Sequence, residues 1–311
     1  MNGRSVTVIG SLNVDDALRV TRHPRPGETV GALSAATALG GKGANQAVAA
    51  ARAGADVRFV GAIGTDNASW LLEALHSDGI DASHLLCLED APTGRAIVMV
   101  DDHGENSIVV VPGANHRITD ETVRDACSAL TPGDVILLQN EVPPKTSRLA
   151  ARASRKAGAS IVWNAAPAPE SLEELITEVD LLVVNEHELT AIASLLSLPG
   201  GEVQDRVNAV ADRLGTNVVC TLGADGAAYR IDGASGRVPA PSVPVVDTTA
   251  AGDTFVGYLA AGLGRRAPLT ELLRTASLAG ALAVTRHGAT TSIPHLREIT
   301  PVRDLDERTV E

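Results

Sequence analysis

Short, almost unbroken apolar runs separated by stretches of helical spacing set the rhythm of this chain. Val6-Thr7-Val8-Ile9 is the first, and residues 135–138, 160–163, 181–184 and 217–220 repeat it with few polar interruptions. Between them, residues 146–157 and 203–214 place apolar side chains three and four apart, the period of a helix with one buried face. Strands that lack polar alternation are buried on both sides. The pattern therefore predicts an α/β fold with a mostly parallel sheet covered by helices on both faces.

The first third reads differently. Residues 12–20 alternate loosely, Pro24, Pro26 and Gly27 make a turn, and 28–30 resume extended chain. A glycine-led, alanine-rich helix then runs to Arg52, followed by a strand at 57–61 and a helix at 69–77. Residues 93–100 and 106–111 are β-rich and joined by a polar loop at 101–105, the signature of a hairpin. Ile97 and Met99 share one face of it, and Ala96, Val98 and Val100 the other. Such a hairpin either packs on another subunit or covers both core and ligand. Further on, 243–246 is a β-rich run broken by Pro244, then come small residues, then helical spacing from Phe255, an order that predicts strand, tight turn and helix start.

Composition narrows the classes of function. A net charge of −12 argues against general nucleic-acid binding, which needs a basic surface. No run has membrane length, and Met1 to Arg4 lead directly into the first strand without an apolar leader. Cys87, Cys127 and Cys220 are odd in number and set among apolar residues, which predicts buried thiols in the cytoplasm. With aromatics at only 2%, the core must be built from Ala, Val, Leu and Ile.

The polar clusters follow strand ends, where ligands of parallel sheets collect: Gln139-Asn140-Glu141, Asn164, residues 185–188 and Thr221-Leu222-Gly223. Ala250-Ala251-Gly252 at a helix start offer exposed main chain and the positive end of the macrodipole to an anion. Asp253 follows, either as a base that takes a proton from a hydroxyl or as a plain helix cap. Gly40-Gly41-Lys42-Gly43-Ala44-Asn45 is neither a Walker loop nor a dinucleotide fingerprint, yet it sets Lys42 and Asn45 at a helix start. Asn13 and Asp15, two apart on a strand, and Glu141 are candidate acceptors for sugar hydroxyls. Asn185 and Glu188 could orient hydrated Mg²⁺ or form an N-cap with its acid. The histidines, His187 among them, lack zinc-type spacing.

Together, Gly10 to Asp15, Pro26-Gly27-Glu28-Thr29, residues 40–47, Asn164 to Ala168, residues 185–188 and residues 247–255 resemble, in order, the motifs of the ribokinase family, the phosphofructokinase-B type of sugar kinases. The resemblance implies a small β-sheet lid (11–34 and 92–112) on an α/β domain (1–10, 35–91 and 113–311), and transfer of phosphate from ATP to a sugar hydroxymethyl group. It implies Asp253 as base with Ala250, Ala251 and Gly252 as anion hole. Asn13, Asp15, Gly41, Lys42, Gly43, Asn45, Glu141 and Asp253 would hold the sugar. Asn185, Thr221, Leu222, Gly223, Ala224, Asp225, Gly226, Gly252 and Ser277 would lie along ATP. Glu188 would reach Mg²⁺ through water. Asp247, Thr249, Ala283, Arg286, Gly288 and Ser292 would surround a monovalent cation, K⁺. Ala165 departs from the family's usual proline, and Ser277 from a larger polar residue. Ribose is the expected acceptor, with deoxyribose, fructose, keto-deoxy sugars and nucleosides (adenosine, inosine) as alternatives, and a non-catalytic sugar binder as a further one. The two apolar faces of the hairpin predict a homodimer through the lids.

Overall fold

The computed structural model describes residues 5–103, 105–174, 178–265 and 268–299; the others, including Met1 to Arg4 and Gly104 named above, lie outside it. In chain order the elements are β1 (Ser5–Ile9), β2 (Asn13–Arg19), β3 (Ser34–Gly40), α1 (Lys42–Arg52), β4 (Asp56–Gly64), α2 (Ala68–Ser77), β5 (Asp81–Leu88), β6 (Gly94–Val100), β7 (Asn106–Val111) and α3 (Asp120–Ser128). There follow β8 (Val135–Leu138), α4 (Pro144–Ala157), β9 (Ser160–Asn164), β10 (Leu181–Asn185), α5 (Glu186–Leu195), α6 (Val203–Leu214) and β11 (Asn217–Thr221). The chain continues through β12 (Ala227–Ile231), β13 (Ala234–Val238), α7 (Ala251–Leu263) and α8 (Leu269–Ala283).

Among the described residues, nine strands form one sheet in the order β13-β12-β11-β10-β9-β8-β1-β4-β5. It is parallel from β11 to β5, and only β12 runs against its neighbours. Alternate residues of each strand feed two separate cores. Val6, Val8, Val135 and Leu137 face α1, α7 and α8, whereas Ile9, Ile136 and Leu138 face α3 to α6. From β1 the chain builds outward in both directions, to β4 on one side and β8 on the other. The crevice beyond their carboxyl ends is thus the topological switch point.

A second, four-stranded sheet has the order β3-β2-β6-β7. It takes residues as far as Gly40, past the boundary at residue 34 expected from sequence. The extended stretch expected at 28–30 forms no strand; pairing falls to β3, whose small residues match β2 one for one from Asn13↔Gly40 to Arg19↔Ser34. Residues 243–246 likewise form no strand, in contrast to the sequence reading: Pro244 lacks an N–H, and Val245 and Val246 stay exposed. The sheet ends instead on β13. Cys127 and Cys220 are buried, but Cys87 is exposed because β5 is an edge strand.

Candidate active site

At the switch point the chain leaves β1 through Ser11 and returns as α1, and the two segments touch main chain to main chain. A Cβ on Gly43 would stand 2.6 Å from both the N and O of Ser11, so no other residue fits there without moving backbone. Gly41 caps the helix. Glu141, after β8, braces this crossing by accepting from Ser11 Oγ (2.6 Å) and from the Lys42 N–H (2.9 Å).

Asn13 and Asp15 project from β2 into the same space. The Oδ1 of Asn13 accepts from Asn115 Nδ2 at 2.7 Å, and Asn115 Oδ1 accepts the Leu12 N–H at 2.9 Å. Asn115, fully buried, was not legible as a site residue because it comes from a turn a hundred residues away. Asp15 has no such help: its Oδ1 is buried without a hydrogen-bond partner. Gly40 makes room for this carboxylate, since a Cβ there would lie 1.9 Å from Asp15 Oδ2. Burial, then the charges of Glu141, Asp253 and Asp16, push Asp15 up to about 7. Lys42 answers these acids, and its pKa is raised chiefly by Asp253.

Asp253 lies in the first turn of α7, which begins at Ala250 in the left-handed conformation (φ 58°) and has no side-chain cap. Its carboxylate does not cap the helix. Oδ2 accepts from Asn45 Nδ2 and Oδ1 from Gln46 Nε2, each at 2.9 Å. Asn45 keeps a buried, unpartnered Oδ1 to offer a ligand. Gln46 was missed from sequence; the available signal was one long polar side chain inside the buried run Ala44, Ala47, Val48. Of the three amides proposed as an anion hole, that of Ala251 also donates to Thr248 O at 3.3 Å.

On the other side of α7 opens a cleft of about 340 Å³. Of the residues placed along ATP by the resemblance, Thr221, Gly223, Ala224, Gly226, Gly252 and Ser277 line it, whereas Leu222, Asp225 and Asn185 do not. Leu222 instead donates its N–H to Gly226 O (2.7 Å), closing the turn into β12. Ser277 Oγ is buried and unpartnered, so a polar ligand atom has a partner waiting. Asn185 and Glu188 form a full capping box on α5: Glu188 Oε2 accepts the Asn185 N–H (2.8 Å), and its own N–H donates to Asn185 Oδ1 (2.9 Å). Burial raises the pKa of Glu188 against that hydrogen bond. Among the described residues no cluster of three or more His, Cys, Asp or Glu is placed to hold a metal.

Asp247 ties the turn before α7 to the chain after α8. Its Oδ1 accepts from Thr249 N and Oγ1, and its Oδ2 from the Gly288 N–H (2.9 Å). Burial opposes its charge, yet these hydrogen bonds hold its pKa below the usual value. The Arg286 side chain turns away to Glu298 (2.6 Å), so only its carbonyl oxygen is left for a cation. Arg52, missed from sequence, pins the same segment, with a fork on Asp78 and a third nitrogen on the carbonyls of Thr290 (2.6 Å) and Ile293 (2.8 Å).

A model of the pfkB family carbohydrate kinases matches residues 4–296. A ribokinase of Haemophilus influenzae is 37% identical over 302 residues, which are 95% of this chain and 97% of that one. The crystal structure of a Thermotoga maritima ribokinase superposes with a TM-score of 0.87 at 33% identity, over 96% of this chain and 98% of that one. An Arabidopsis thaliana ribokinase complexed with ribose and ATP gives 0.83 at 32% identity, again over 96% and 98%.

Proposed function

Since the chain belongs to the pfkB family of carbohydrate kinases and is an ATP-dependent sugar kinase, we propose that it phosphorylates the 5-hydroxyl of D-ribose. One observation carries this reading. The buried Asp253 carboxylate stands at the helix start that separates the Asn13, Asp15, Lys42 and Glu141 pocket from the cleft of Gly252 and Ser277. A hydroxyl held on the first side meets a phosphoryl group arriving from the second.

In the proposed reaction the hydroxyl oxygen bonds to the γ-phosphorus of ATP, the bond to the bridging oxygen breaks, and ADP leaves. Asp253 takes the hydroxyl proton. The amides of residues 250–252 face the phosphoryl oxygens with the positive end of α7. Phosphoryl transfer makes little covalent demand on a protein, so positioning by Asn13, Asp15, Asn45 and Lys42 supplies much of the rate. Mg²⁺ bound with ATP would supply charge neutralisation. Glu188, whose carboxylate accepts from Asn185 in the capping box, would help hold that ion through water. The oxygen-rich set at Asp247, Thr249, Ala283, Arg286, Gly288 and Ser292 fits a hard monovalent cation such as K⁺. Free thiols support a cytoplasmic setting. Residues 11–34 and 92–112, with the remainder of β3, act as a lid over the sugar.

The test is ATP consumption over a panel of ribose, deoxyribose, fructose, keto-deoxy sugars, adenosine and inosine, with and without Mg²⁺ and K⁺. Ribose is expected to give the highest kcat/KM, with loss of turnover on chelation and stimulation by K⁺. Preference for a nucleoside would reject the acceptor assigned here.

The lid also supports a homodimer. Ile108, Val109, Val110 and Val111 on the edge strand β7 are about half exposed, as is Leu33. An apolar edge of that kind invites pairing with another strand. Light scattering at micromolar concentration should give twice the chain mass, and Val109→Asp should return a monomer. A monomeric parent protein rejects the dimer.

A further inference from the structure

Gln46 stands behind the Asp253 carboxylate, out of reach of solvent, and its hydrogen bonds run on to two strands of the central sheet. Its Nε2 donates to Asp253 Oδ1 and to Asn164 Oδ1, both at 2.9 Å. Its Oε1 accepts from Gln139 Nε2 at 2.7 Å. Asn164 Nδ2 in turn donates to the carbonyl of Val183 on β10 at 3.1 Å. A backbone carbonyl can only accept. It therefore fixes the Asn164 amide with Oδ1 toward Gln46, which fixes the Gln46 amide with its donor toward Asp253. On the other side the Gln46 oxygen then faces Gln139 Nε2, while Gln139 Oε1 is buried without a partner.

We propose that Gln46 is a positioning residue for phosphoryl transfer: the Gln139–Gln46–Asn164 chain holds Asp253 Oδ1 as an obligate acceptor and keeps that carboxylate aimed at the sugar hydroxyl. The proposal rests on Asp253 being the base. Its logic is electrostatic. Asp253 shares its pocket with Asp15 and Glu141, and neighbouring negative charges repel. Two amide donors, from Asn45 and Gln46, offset that repulsion at Asp253. Asp15 has no partner on its Oδ1. Gln46 itself, fully buried behind the carboxylate, acts on the reaction only through Asp253.

The experiment is single-turnover phosphorylation of ribose as a function of pH for Gln46→Leu, alone and in an Asp253→Ala background, with ribose affinity by calorimetry. Losing one charge-assisted hydrogen bond should slow the step about 10- to 100-fold. The acid limb of the rate profile should move to higher pH, because a carboxylate short of a donor ionises less readily. Ribose affinity should stay within about threefold, as expected for a group that acts after binding. In the Asp253→Ala background Gln46→Leu should cost nothing further. An unmoved acid limb, or an undiminished loss in that background, overturns the proposal while leaving the base assignment intact. An active Asp253→Ala protein overturns the base assignment itself. Should Gln46→Leu fail to fold by circular dichroism, Gln139→Leu, which removes only the donor to Gln46 Oε1, must show a smaller shift in the same direction; no shift rejects the relay.

Discussion

Asp253→Asn should leave a folded protein whose kcat for ribose is lower by about 10²–10⁴-fold, the usual worth of a positioned general base. The substitution keeps the shape of the side chain and removes its charge. Asn45 Nδ2 and Gln46 Nε2 both donate to this carboxylate. A carboxamide can accept only one of them and turns its own NH₂ toward the other, so some local rearrangement accompanies the loss of the base. Lys42 also loses the partner that most raises its pKa. Sugar affinity should change much less than turnover, because Asn13 and Asp15 stand on β2 and Asn13 is braced independently by Asn115. Steady-state kinetics with a melting curve decides it. Near-normal turnover by a stable variant would remove Asp253 from the chemistry.

The parts of this fold that could be read in advance are those whose pattern is local. β8 and the buried stretches of β10 and β11 are covered on both faces, so Val135 to Leu138, Leu181 to Val184 and Val218 to Cys220 had to be apolar, and they fall where the runs fall. Strands that owe their existence to a partner were harder. β3 is Ser-Ala-Ala-Thr-Ala-Leu-Gly, poor in β-branched residues, and it is a strand because β2 lies beside it. Residues 243–246 have the better composition but no neighbouring strand, so they remain extended chain beside α7, with Val243 and Val245 lining the cleft there.

The site divides in the same way. Glycine-led turns and a carboxylate at a helix start can be recognised in a sequence because their chemistry is contiguous. What orients those groups is not contiguous. Asn115 reaches Asn13 over 102 residues, Gln46 reaches Asp253 over 207, and Arg52 reaches Thr290 over 238. Each contact is made by an ordinary polar residue in a helix or turn, and only the folded chain distinguishes it from a surface residue. Glu188 is the converse case. The functional and capping readings were both open, and the capping box is present.

Asp15→Asn should stabilise the free protein while costing about 10²-fold in ribose affinity, since hydrogen bonds to a charged acceptor are each worth about 1.5–3 kcal/mol. The two effects share one cause. Asp15 is kept beside Glu141 and Asp253 with an unpartnered buried oxygen, and its pKa stands at about 7 against the ordinary 3.8. Above pH 7 both folded and unfolded chains carry the charge, and only the folded one suffers for it. As pH falls through 7 the folded protein takes up a proton that the unfolded chain accepts only near 3.8, so the handicap shrinks and is gone below that. The Asp15→Asn variant lacks the handicap at every pH. Its melting temperature should exceed the parent's most at pH 8, by about 2–4 °C for each kcal/mol relieved, and the gap should close toward pH 4. Ribose affinity of the parent should weaken between pH 8 and 6 as Asp15 protonates, while that of the variant stays flat. Sugar hydroxyls donating to Asp15 would give that oxygen a partner, so binding should release protons, measurable as a buffer-dependent heat near pH 7. A melting gap independent of pH would show that the carboxylate bears no such burden, and that its place in the pocket is other than the one described.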